Sequence, residues 1–111
     1  MRIEVQSREF DKKEMFKMSN DSHVLMKNLP DDTVINVIDY VRYTTDDGKE
    51  VAILYHTNIS TGEVVTIATS SPTVIKTAES AFHFMGTYNL QFKLTRSQSK
   101  AGRTYMNFEL V

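Results

Sequence analysis

The chain has 111 residues, 41% of them hydrophobic, which suits a single globular domain with its own core and excludes wholesale disorder. It contains no cysteine, so disulfides and thiolate metal sites are excluded, and its net charge of −1 argues against coating nucleic acid by bulk charge alone. Apolar runs are too short to span a membrane, and Met1–Phe10, with Arg2, Glu4, Arg8 and Glu9, lacks the apolar stretch of a secretory signal, so the expected location is the cytoplasm.

Residues 1–33 carry the weakest signals. Arg2–Val5 suits a short edge strand, and Phe10–Met18 a turn or two of helix. Ser19-Asn20-Asp21-Ser22 reads as a turn, because these side chains bond nearby backbone and compete with regular structure. An apolar stretch, His23–Leu29, is stopped by Pro30-Asp31-Asp32. We therefore divide the chain into an N-terminal extension, 1–33, packed on a main domain, 34–111.

From Val34 the pattern sharpens. Val34–Thr44 is rich in Val, Ile, Tyr and Thr and predicts a long strand. Asp46-Asp47-Gly48 is a hairpin turn signal, with the returning strand at Glu50–Thr57. Asn58–Gly62 turns again into a third strand, Glu63–Thr69. The period then changes. Ser71 suits an N-cap and Pro72 the first helical position; Val74, Ala78, Ala81, Phe82 and Met85 share a helical face, and Gly86 ends the helix. Tyr88–Arg96 and Arg103–Val111 alternate strictly, which assigns Leu90, Phe92, Leu94, Met106, Phe108 and Leu110 to the core. The order is β-β-β-α-β-β. That is the order of the OB-fold, a mostly β, five-stranded Greek-key barrel with one helix between strands three and four.

No enzyme motif is present. The four glycines are isolated turn residues rather than a phosphate loop. His23, His56 and His83 lack metal-ligand spacing. Asp31-Asp32 and Asp46-Asp47 are paired carboxylates, but both sit in turns. No catalytic residue, metal or cofactor is expected.

A binding surface is easier to argue. OB barrels bind oligomers on the face of strands two and three, framed by the loops between the first two and the last two strands. Binding single strands there takes cations for phosphates and aromatic rings for bases. Residues 71–111 hold five Lys and Arg against two acids, whereas residues 1–70 hold eight against twelve. The last loop offers Arg96, Lys100, Arg103 and then Tyr105, the first choice for stacking; the first offers Tyr40, Arg42, Tyr43 and Lys49. Tyr55, His56 and Lys93 complete the candidate set. The tyrosines equally suit core or rim packing, Lys93 a solvated face, and the Lys100 loop a polar hairpin tip.

The stretch Met26-Lys27-Asn28-Leu29-Pro30-Asp31-Asp32-Thr33-Val34, and above all Ser99-Lys100-Ala101-Gly102-Arg103-Thr104-Tyr105, resembles the small single-stranded DNA-binding proteins of phages that infect Gram-positive bacteria. The resemblance runs over about residues 26–111. It implies an OB-fold, sequence-tolerant binding of single-stranded DNA, and a role in phage replication or recombination in the host cytoplasm. It also implies a homodimer or higher assembly, with phage recombination or replication proteins as further partners. The long Gly/Gln-rich tail with an acidic tip, found in the better-known bacterial form, does not follow the last predicted strand here, and there is no tryptophan. An OB-fold serving as a protein-interaction or structural subunit, with an inert basic loop, is the alternative; an RNA-binding domain is a third.

Overall fold

A computed structural model describes residues 1–20 and 22–111, and its fold is mixed α/β but mostly strand. β1 (Arg2–Gln6) leads into α1 (Lys12–Asn20), whose start is a capping box. The Glu14 amide donates to Asp11 Oδ1 at 2.8 Å, and the Asp11 amide donates to Glu14 Oε1 at 3.3 Å. Ser19 and Asn20, expected in a turn, end this helix and donate from their side chains to the Met15 and Phe16 carbonyls one turn earlier; Asp21, in the same expected turn, lies outside the described residues. β2 (Val24–Leu25) and a 3-10 turn (Met26–Asn28) follow.

The main run is β3 (Thr33–Thr44), β4 (Glu50–Thr57), β5 (Val64–Thr69), α2 (Pro72–Met85), β6 (Gln91–Gln98) and β7 (Thr104–Leu110). The local signals act as their chemistry dictates. Ser71 Oγ accepts the Val74 amide at 3.3 Å, and Gly86 closes α2 at φ 69°, a left-handed conformation that costs glycine nothing. β6 begins at Gln91, later than the alternation suggests, because the backbone turns tightly at 88–90, where the Leu90 amide donates to the Tyr88 carbonyl at 3.0 Å.

β3 organises the sheet. Its first half, Thr33–Asn36, pairs with β6, and its second half, from Val37, pairs with β4. β1 lies antiparallel on the other flank of that second half. A bulge between Val37 and Asp39 switches the parity of inward positions, so Ile35 and Val37 face the core before it and Tyr40 after it. The sheet path runs β2-β5-β4-β3-β6-β7 and curls into a half-barrel.

The expected closed five-stranded barrel is not formed. Among the described residues no ladder joins β7 to β5, whose outer edge carries the parallel strand β2 instead (Val24 opposite Ile67, Leu25 opposite Ala68). The inner face and α2 enclose the main core, with Tyr40, Leu54, Val74, Ala78, Phe82, Phe92, Leu94 and Phe108. Leu90 and Met106 are partly buried against it, but Leu110 is 44% exposed, because β7 outruns its cover there; Met85, on the last turn of α2, is also half exposed. A second cluster lies on the outer face, where Phe10 and Met18 cover Val41, Tyr43 and Ile53.

Candidate nucleic-acid interface

The predicted site residues divide sharply by environment. Tyr40 has no exposed surface: its ring packs on Phe82, and its hydroxyl donates to Glu79 Oε2 at 2.6 Å. Burial, with the Glu79 carboxylate beside it, pushes the phenol pKa far up. Arg42 donates to the same Glu79 from Nε at 2.6 Å and to Glu50 from Nη1 at 2.7 Å. Glu79 belongs to α2, so both residues fasten the helix to the sheet, and the partly exposed Arg42 guanidinium is committed to two carboxylates. The expectation of Tyr40 as a stacking platform is corrected by its burial.

The outer face of β3 and β4 is corrected in part. Tyr43 is buried under the N-terminal segment. Tyr55 is half-buried and stacks on Phe10, with ring centroids 5.6 Å apart. Burial raises the pKa of both phenols. The face expected to meet bases is thus covered by the chain's own residues, held by Arg8, which bonds Asp39 of β3 and Glu14 of α1 and lies over the Phe10 ring at 4.2 Å. His56 is half-buried and accepts the Asn36 amide at Nδ1, 2.9 Å away; burial lowers its pKa. His23 likewise joins elements, with Nδ1 against Thr66 Oγ1 and Nε2 against the Met18 carbonyl.

Charge partners divide the cations in the same way. Arg96 is a clamp: its guanidinium donates to Asp31 Oδ1 at 2.8 Å and to the Lys27 and Leu29 carbonyls at 3.0 and 2.5 Å. Lys93 pairs with Asp32 at 3.4 Å. Lys49, Lys100 and Arg103 are exposed and, among the described residues, have no carboxylate within ion-pair distance. Near Lys49 the acids are already engaged, Asp46 by the N-terminal amine, Asp47 by Thr45 and Glu50 by Arg42.

Lys49 stands at a groove of about 430 Å³ that spans the open seam. Leu25 of β2, Lys27, Val51 of β4 and Ala68 of β5 line it together with Met106 of β7, as do Thr69, Ser70 and Ser71. Lys27 was not a predicted contact. It follows a short apolar stretch with no periodic signal, and the turn is brought to the seam by contacts distant in sequence: the pairing of β2 with β5, the burial of Met26 and the Arg96 clamp. Tyr105 is 50% exposed and, one residue from Met106, faces away from the groove on the outer side of the β6–β7 hairpin, whose tip carries Lys100 and Arg103.

The arrangement is an apolar slot with cations at its rims and an aromatic ring beyond one rim. The described residues hold no group of three potential metal ligands and no helix long and apolar enough to cross a membrane. In comparison with known proteins, no family model, curated protein or solved structure matches this chain.

Proposed function

We propose that the chain binds single-stranded DNA without strong sequence preference, through the open seam and the β6–β7 hairpin, on an opened variant of the OB architecture. The observation that carries this reading is the set of cations without ion-pair partners around the seam: Lys27 and Lys49 at the groove, and Lys100 and Arg103 on the hairpin whose strand β7 lines the groove through Met106. Phosphates are what such cations hold, and the groove's apolar lining together with the Tyr105 face suits bases. The strand order of residues 33–110 supports the OB assignment, whose barrel is partly open in general. A role in phage replication or recombination, and assembly as a homodimer, rest on the resemblance at residues 26–34 and 99–105.

Titration of a labelled oligothymidine across a salt series tests this. Four cations on phosphates give a slope of log affinity on log salt of about −3, at roughly −0.7 per phosphate on a single strand. Replacing Lys100 and Arg103 by alanine together removes about half of that slope and weakens all sequences alike. Absence of binding, or binding indifferent to salt, refutes the reading in favour of a protein-interaction subunit. Stronger competition by RNA assigns the site to RNA instead.

A further inference from the structure

The outward face of α1 has a composition that the seam does not explain. Phe16 is 67% exposed, while Met15 and Met18 of the same helix turn toward the sheet. At 100° per residue, Lys12, Phe16, Lys13 and Lys17 fall in that order across one arc of about 140°. Lys12 and Lys13 are the i−4 and i−3 neighbours of Phe16, close enough to flank its ring. All three lysines are exposed, and among the described residues none has a carboxylate within ion-pair distance. The helix's own acid, Glu14, is held by Arg8 at 2.6 Å, and Asp11 caps the first turn. The face is therefore a ring among three lysines that have no ion-pair partner among the described residues.

We propose that this face is a second contact for the same single strand, extending the bound stretch beyond the seam; the inference rests on the reading above. Its chemistry is that of a stacking platform, with a ring for one base and cations for the adjoining phosphates. Continuity supports a shared path. Val51 and Ala68 line the seam groove and also pack into the cluster beneath α1, so groove and helix occupy adjoining parts of one side of the molecule. The helix adds roughly 14 Å to that path at 1.5 Å per residue. A bilayer surface fits less well. Insertion needs a broad apolar face, and here the two methionines are turned to the protein, leaving a single ring.

The test is anisotropy titration of labelled oligothymidines of increasing length against the full chain, Phe16→Ala, and a triple variant with Lys12, Lys13 and Lys17 changed to alanine. All four positions are exposed, and circular dichroism checks the fold of each variant. Long oligomers lose about tenfold in affinity with Phe16→Ala, while the shortest that bind are unaffected. The triple variant lowers the salt slope by about 2 on long oligomers only. Phe16→Trp retains affinity and, in a chain without tryptophan, supplies a fluorophore that long oligomers quench. Unchanged long-oligomer affinity and slope in both alanine variants, with normal wild-type binding, overturns the inference and leaves the seam intact. So does loss of binding to vesicles containing phosphatidylserine with DNA affinity preserved, which makes the face a membrane contact. No wild-type binding at any length instead defeats the parent reading.

Discussion

Two tyrosines show how much the environment of a residue decides. Tyr40 and Tyr105 are both strand tyrosines two residues from an arginine, yet one is sealed in the core and the other is half in water. Tyr40→Phe removes the hydroxyl that donates to Glu79 while the Arg42 bonds to that carboxylate remain. The expected cost is about 1–2 kcal/mol of stability by urea denaturation, with DNA affinity unchanged. Tyr105→Ala should do the reverse. An outward ring supports little packing, so stability stays within about 0.5 kcal/mol, while affinity falls about tenfold, or roughly 1.4 kcal/mol, if the ring stacks on a base. A fall in stability with no loss of affinity would make Tyr105 a structural residue.

At the scale of elements, the β6–β7 ribbon joins the core to the site. Phe92 and Phe108 stack at 4.3 Å between centroids, and Phe92 meets Phe82 of α2 edge-on at 5.8 Å. Phe92→Ala or Phe108→Ala should cost about 3–5 kcal/mol, a large share of a domain's usual stability, whereas Leu110→Ala, half in solvent, should cost under about 1 kcal/mol. Denaturant midpoints separate the three, and equal losses would mean that β7 packs along its whole length. The two faces of this ribbon were legible from alternation at Phe92, Leu94 and Phe108. Leu110 was not, because alternation shows which way a side chain points but not where its cover ends. In α1 the pair Asp11 and Glu14 was a readable helix start, and the mixed hydrophobic spacing beyond it obscured the signal.

For the whole molecule, the joint where β3 passes from β6 to β4 sets a pH limit. There the Asn36 amide donates to His56 Nδ1, and the Asn36 side chain accepts from Gln91 Nε2 at 2.5 Å. A donor aimed at Nδ1 requires that nitrogen unprotonated, and burial lowers the folded pKa below the usual histidine value of about 6.5. Between that value and the lower, folded one the unfolded chain binds a proton that the folded one does not. This contribution to stability is therefore full above about pH 6.5 and is lost as pH falls through the lower, folded value. Urea midpoints measured from neutral to mildly acidic pH should show that decline, and His56→Gln should flatten it. An unaltered decline in the variant would move the effect to other groups.

The order of strands and helix from residue 33 onward was determined by the sequence alone, because its signals are local. Gly48 and Gly86 adopt the positive φ that their turn and cap require, Ser71 caps its own helix, and period two or period 3.6 fixes the element type between them. The open seam, the covered outer face and the division of cations into clamps and free contacts belong to the tertiary structure. Arg96 becomes a clamp only when Asp31, 65 residues earlier, lies beside it, and Tyr40 loses its role as a platform when Phe82 and Tyr88, distant in the chain, close on its ring. Likewise β2 takes the edge of β5 that would otherwise be open to β7. A residue's chemistry is written in its side chain, but its availability depends on what the fold sets against it, and those partners are distant in the chain.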